Sequence, residues 1–431
     1  MTQVKVDVHY VTRIEGHGNL LLDAKNGKIE KLLWEVPESP RFFEAMLRGR
    51  RYDEAADLTC RICGICSCGH RTASLLGMEA ALGIEISEQT LLLRKLLLMG
   101  EQISSHVLHV AFLVLPDLLD APSVIPLAAT HPEAVKKALK LKKLGNEIAR
   151  VVAGRHIHAL SAQLNGFTKL PTEQELRDLK EFTLGCWQDL VDVAELVATL
   201  AHKLPSFERE TEYLALHRDD EYAFYDGDIV SNDDPTPTPA SKYRARVKEH
   251  VVGHSSAKHT KSKRNSYMVG ALARFNNNHT QLHDEAKQVA AKLGLKAPCT
   301  NPFMITVAQL VETVHCVKET LLLIDKLLEV GIKYEDRSFP IRAGLGVGAT
   351  EVPRGTLYHE YAVDSKGIIT DANLIIPTGQ NHASIEEDMH ALVPTILDRS
   401  KEEITHLLEM LVRAYDPCIS CSTHLLNVEF V

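Results

Sequence analysis

The 431-residue chain has no excess of positive charge, no long apolar run and no basic amino-terminal stretch leading into one. With 48 basic against 57 acidic residues and a net charge of −9, it offers nucleic acid and anionic membranes no general attraction. No segment reaches the roughly 20 uninterrupted apolar residues of a membrane span, and the opening MTQVKVDVHYVTRIEGHG lacks a signal-peptide pattern, so a soluble, cytoplasmic protein is expected. Internal repeats, low-complexity tracts and a glycine-rich nucleotide loop are also missing, so any nucleotide cofactor would bind on another chain. Nine cysteines, an odd number without a secretory context, argue against a disulfide framework and for reduced thiols.

What is present is a hydrophobic fraction of 45%, enough for a large core. Residues 4–36 alternate apolar and polar side chains around Asn26-Gly27, which suits a tight hairpin turn and a small antiparallel sheet. The stretch 70–84 has helical spacing with Gly83 as its stop, placing Cys66 near a helix amino terminus. Helical patterns follow at 87–116, 133–163, 173–203, 281–294, 304–331 and 384–413. The expected fold is therefore mainly α, a large helical bundle core with small peripheral antiparallel β-hairpins. The polar, Pro-containing stretch 205–265 reads as a peripheral excursion with short strands and loops, and a second hairpin is expected at 356–376 around Ser365-Lys366-Gly367. One domain spanning 1–431 is expected, with 1–40 its amino-terminal hairpin region.

Cys186, Cys299 and Cys316 stand alone and read as small buried hydrophobes. The other six cluster. Arg61-Ile-Cys63-Gly-Ile-Cys66-x-x-x-His70 sets two thiols three residues apart across a glycine turn, and Asp416-Pro-Cys418-Ile-Ser-Cys421-x-x-His424 repeats the arrangement. Either pair alone could be a structural zinc half-site, a redox pair or chance. Together they offer four thiolates, a soft set suited to zinc, nickel or an iron-sulfur cluster, and spacing does not choose among these. A structural zinc clip in a scaffold protein is the bland alternative, although a long helical core needs no such staple.

The two motifs resemble the paired signatures of nickel-iron hydrogenase large subunits. Further matches are Arg13-Ile-Glu15-Gly-His17, Pro40-Arg-Phe-Phe-Glu44, Gly154-Arg-His156-Ile-His158, Pro353-Arg354-Gly355 and Leu374-Ile-Ile-Pro377-Thr378. The resemblance implies the catalytic subunit of an enzyme that cleaves hydrogen heterolytically and reversibly. It implies nickel held by Cys63, Cys66, Cys418 and Cys421, with an iron carrying carbon monoxide and cyanide bridged through Cys66 and Cys421. A homologous subunit of respiratory quinone reductases shares this resemblance but lacks the cysteines, and all four are present here.

Such chemistry needs a metal to accept hydride and a base in hydrogen-bond reach to accept the proton. By resemblance, Arg354 overhangs the open metal position, Asp416 orients it, Glu15 relays protons beside Cys418, and Pro353 and Thr378 contact the cyanides. Glu44, the Leu374 carbonyl and His424 match the ligands of a magnesium or second iron site. Cys60 and Cys68 fall outside the motif as packing residues. Where many relatives carry Asp before the first His of the long helix, this chain has Ser105 before His106, which makes the cover of the site less acidic. His106, His109, His254 and His259 read as satisfied polar groups or as ligands.

The family resemblance further implies a partner, the iron-sulfur hydrogenase small subunit, and the subtype most resembles cytoplasmic multimeric enzymes linked to NAD(P) through diaphorase-type subunits. It also implies that residues 425–431 are a maturation tail, cut after His424 by a dedicated protease so that the carboxyl end can fold inward onto the metals.

Overall fold

The computed structural model describes residues 3–425. Strands Gln3–Val8, Asn19–Lys25 and Lys28–Glu35 form an antiparallel sheet in that order. Its tight turn is where the sequence puts it: Asn26 and Gly27 both take positive φ, 51° and 78°, as a mirror-image hairpin turn requires.

The core is helical, as expected. Glu88–Val107, Pro132–Ala153, Glu173–Leu200 and Ile305–Val330 pack side by side. Glu88–Val107 runs on through a π-helical segment, Leu108–Val114, to Leu118. This Glu88–Leu118 run of 31 residues is long and apolar enough to cross a membrane, a length the uninterrupted-run criterion passed over, but 78% of its apolar window is buried inside the fold. It is the central helix of the bundle.

Two helix expectations are corrected. The 133–163 helix stops at Ala153, because Gly154 enters the left-handed region at φ 81°. The 384–413 helix is two helices, Pro377–Leu392 and Lys401–Ala414, broken at Val393–Thr395 where Pro394 cannot continue the ladder. The second restarts on a Ser400–Glu403 capping box.

The expected 356–376 hairpin gains a third strand: Gly344–Val352, Gly355–Val363 and Ile369–Ile375 form one antiparallel sheet. This sheet is largely buried and lies on the Ser67–Leu82 helix. The approach is backbone to backbone: a Cβ at Gly348 would sit 2.1 Å from the Ala73 carbonyl oxygen, and one at Gly346 2.2 Å from Ala81 N. Glycine at alternate strand positions therefore seats the sheet, and the Pro353-Arg354 turn at its tip, against the helix that begins at the first cysteine motif.

The 205–265 stretch holds more order than its polarity suggests. Glu212–His217, Asp228–Ser231 and Asp234–Thr238 pair antiparallel, and Tyr267–Met268 adds a parallel edge beside Glu212–His217. Leu214, Leu216, Tyr243, Tyr267 and Tyr358 give it a small core of its own.

Candidate metal centre

Cys63 follows a turn of 3₁₀ helix, and Cys66 caps the Ser67–Leu82 helix. Amide N–H groups of Ile65 and Cys66 point back at Cys63 Sγ, 3.2 and 3.3 Å away. The second motif lies on the four-residue helix Ile419–Ser422, capped by Cys418. Long-range bonds place it. Residues around Glu15 run parallel to the motif, with Ile419 N donating to the Glu15 carbonyl at 3.0 Å and Ser420 N to Glu15 Oε2 at 3.1 Å. Cys418 N donates to Thr378 Oγ1 at 3.0 Å, and His382 Nε2 meets Ser422 Oγ at 2.9 Å.

The result is one buried cluster. Cys63 and Cys418 sulfurs are 3.5 Å apart, Cys66 and Cys421 3.9 Å, Cys418 and Cys421 2.8 Å, and all four lie within 4.8 Å of one another. Thiol donation from Cys418, Cys421 and Cys66 holds Cys63 well below the usual thiol range. The other three are pushed up, Cys66 to about 11, by burial and by sharing hydrogen bonds with the neighbouring sulfurs. Four buried sulfurs this close are a donor set that fits a soft cation, which would bind them as thiolates. Cys60 and Cys68 are buried outside the cluster; Cys186 and Cys316 are buried too, while Cys299 is half-buried.

Arg354 lies buried over this end of the molecule. Its guanidinium NH2 pairs with Asp416 Oδ1 at 2.7 Å, Nε donates to the Asp416 carbonyl at 2.5 Å, and NH1 reaches Ser105 Oγ at 3.2 Å. Burial lowers its pKa, but the Asp416 carboxylate and the cysteine sulfurs outweigh burial and raise it, so the group stays charged. Ser105 thus supplies a hydrogen bond and no charge, and Asp416 is the carboxylate that pairs directly with Arg354.

Glu44 and His424 meet at 2.6 Å, and the other ring nitrogen of His424 reaches Glu249 Oε1 at 2.9 Å. Burial alone would lower His424, yet the two carboxylates raise it to about 9. Leu374 lies on the strand packed against the Phe43–Leu47 helix that bears Glu44. This inward closure stands with Leu425 still attached, its N–H on Glu44 Oε2 at 3.1 Å. The expected maturation tail otherwise falls outside the described residues.

Several residues near the centre were not singled out by sequence reasoning. Glu101 accepts the N–H groups of Cys68 at 2.7 Å and Gly69 at 3.0 Å, at the start of the cysteine-bearing helix, and burial pushes its pKa up to about 8. Arg274, fully buried, grips Glu312 and Glu351 and donates to the Val352 and Pro353 carbonyls, bracing the turn that presents Arg354. Charged residues inside otherwise apolar helix stretches were the available signal for Glu101 and Glu312. His109 bonds Gln309 and the Arg413 carbonyl and is a satisfied polar group, whereas His106 bonds Glu312 through Nε2 and its buried Nδ1 has no partner among the described residues.

Two buried Cys-x-x-Cys half-sites gathered into one four-sulfur cluster under a charged arginine mark a metal-binding protein. The family model for nickel-dependent hydrogenases matches residues 41–206 and 215–424. The chain belongs to that family and is the catalytic large subunit of a hydrogenase, acting on H2. It is 35% identical over 430 residues to the alpha subunit of sulfhydrogenase 1 from Pyrococcus furiosus, covering 98% of both chains. It is 30% identical over 462 residues to the matching subunit of F420-non-reducing hydrogenase from Methanothermobacter marburgensis, covering 98% of this chain and 95% of that one. Among solved structures, an NAD+-reducing [NiFe]-hydrogenase in the H2-reduced state superposes with a TM-score of 0.88 at 27% identity, over 97% of this chain and 99% of that one. Both curated relatives are named as one subunit of their enzyme.

Proposed function

We propose that residues 1–431 form one large-subunit domain in which Cys63 and Cys418 are terminal nickel ligands and Cys66 and Cys421 bridge nickel to an iron carrying carbon monoxide and cyanide. The observation that carries this reading is the convergence of the four sulfurs with Glu15 alongside and Arg354 above. When bound, the metals supply the acceptor for the electron pair of the H–H bond. The chain's own residues handle the proton. Arg354, kept charged by Asp416, polarises and does not act as the base. The proton passes to Cys418 Sγ and then to the carboxylate of Glu15, a residue whose backbone is bonded to Pro417 and Ile419 on either side of Cys418. Pro353 and Thr378 line the cyanide side, and Glu44, the Leu374 carbonyl and His424 hold magnesium or a second iron.

The assembly in this reading includes an iron-sulfur small subunit that takes the electrons, and diaphorase-type subunits that pass them to NAD(P), a reading favoured by the NAD+-reducing structural neighbour. A maturation protease removes 425–431, and the enzyme works in the cytoplasm. Infrared spectroscopy of the purified complex, with elemental analysis, tests the metal assignment: carbonyl and cyanide bands with equimolar nickel are expected, and zinc alone without those bands would overturn it. Glu15→Gln should suppress hydrogen-deuterium exchange while sparing metal content; unchanged exchange removes Glu15 from the route.

A further inference from the structure

His259 is 3% exposed, yet among the described residues neither of its ring nitrogens makes a hydrogen bond: Nε2 is buried without a partner and Nδ1 stops 3.9 Å from Glu386 Oε2. A buried imidazole left unpaired is costly. A separation of 3.9 Å is too long for a hydrogen bond, but two donors each about 2.0–2.2 Å from one zinc-class ion stand ~3–4 Å apart. His254 brings a third donor, with Nε2 at 2.6 Å from Glu386 Oε1. One ligand atom from each of His254, His259 and Glu386 falls within 4.8 Å of the others.

The surroundings fix these groups. Glu386 also accepts the Trp34 N–H at 3.1 Å, which orients its carboxylate. His259 stacks on His382 with ring centres 5.9 Å apart and meets His254 edge-on at 5.6 Å. Burial and the neighbouring imidazoles pull its pKa down to about 3, so it stays in the neutral form that binds metal. His254 and Glu386 are partly exposed, which gives an ion access from solvent.

We propose that His254, His259 and Glu386 form a binding site for one zinc-class divalent cation, separate from the cysteine cluster. Two imidazoles and a carboxylate favour zinc, nickel or copper over magnesium or calcium. The ion would join the Lys248–His250 and His259–Lys261 ladder to the Pro377–Leu392 helix. Both elements support the carboxyl end: the ladder through Glu249, which holds His424 at 2.9 Å, and the helix through His382, which holds Ser422 at 2.9 Å. The cation therefore braces the closing segment from behind.

The test uses the nickel-loaded complex, treated with chelator, incubated with Zn2+ and desalted. One zinc per large subunit is expected, with a zinc X-ray absorption edge showing imidazole and oxygen and no sulfur. His259→Gln should reduce retained zinc to background while nickel and iron stay unchanged. Equal zinc in that variant, a sulfur-containing shell, or no uptake by the wild type would overturn the site. Should His259→Gln fail to fold, His254→Gln at the exposed rim decides it: zinc affinity should fall at least tenfold, and unchanged affinity refutes the proposal.

Discussion

The two cysteine pairs reach the same cluster by different means. Cys63 and Cys66 open a 16-residue helix whose first amides are held by Glu101 and whose flank is pinned by a glycine-lined strand. Cys418 caps, and Cys421 lies within, a four-residue helix placed by Glu15, Thr378 and His382, with His424 beyond it held by Glu44. The first pair is thus a product of a stable helix start, while the second is set by closure of the carboxyl end. Contacts made by Glu15, Thr378 and His382 should govern the second pair and leave the first alone.

The largest effect ignores that asymmetry. Cys66→Ser and Cys421→Ser should each abolish retention of nickel and iron, because a hydroxyl is a poor soft-metal ligand at either position. If one variant kept normal metal content on elemental analysis, the halves would not be equal partners in binding.

Arg354 spans the comparison, since it stands on the sheet seated against the first half and grips Asp416 at the head of the second. Arg354→Lys should lower hydrogen oxidation by about 10²-fold or more with metal content intact, because an ammonium cannot reproduce the planar donors that meet Asp416 and Ser105 together. Near-normal turnover would make Arg354 a bystander.

Acid should loosen the first half through His70, which follows Cys66 by one helical turn. Burial holds this imidazole, hydrogen-bonded to His359, at a pKa of about 4, against 6.5 unperturbed. A depressed histidine contributes stability that is present above pH 6.5 and is lost as pH falls toward 4, here on the order of 3 kcal/mol. Urea unfolding of the metal-free chain should show that slope, and His70→Gln should flatten it; an equal slope in the variant would assign it to other groups.

The smallest effect tests the second half by itself. Thr378→Val removes the hydroxyl that accepts Cys418 N, at a cost of about 1 kcal/mol. Amide exchange over Ile419–Ser422 should rise roughly fivefold with no change over Ser67–Leu82. A rise in both segments would mean that the halves open as one unit.

Much of the fold and of the centre is legible in the residues alone. Periodicity finds the bundle, Asn26-Gly27 finds the first hairpin, and the motif residues find the cluster. Helix ends are misplaced at Gly154 and Pro394, where one residue outweighs an otherwise continuous apolar pattern. Short strands after residue 205 are expected, but their assembly into a four-stranded sheet stays hidden because its edge pairing joins Glu212 to Tyr267, a contact no local pattern encodes. Glu101 and Arg274 are overlooked for a similar reason, since a charged residue in a helix reads as surface until its burial is known.

By itself the sequence determined the four thiols, their spacing and the helix that carries the first pair, since these follow from chemistry within a few residues. Tertiary structure alone decided that the two pairs converge, that Asp416 keeps Arg354 charged, that His424 is held between Glu44 and Glu249, and that His259 has no hydrogen-bond partner among the described residues. Each of these depends on which groups burial brings within about 3–4 Å across the fold, where desolvation makes every charge and every unpaired nitrogen count.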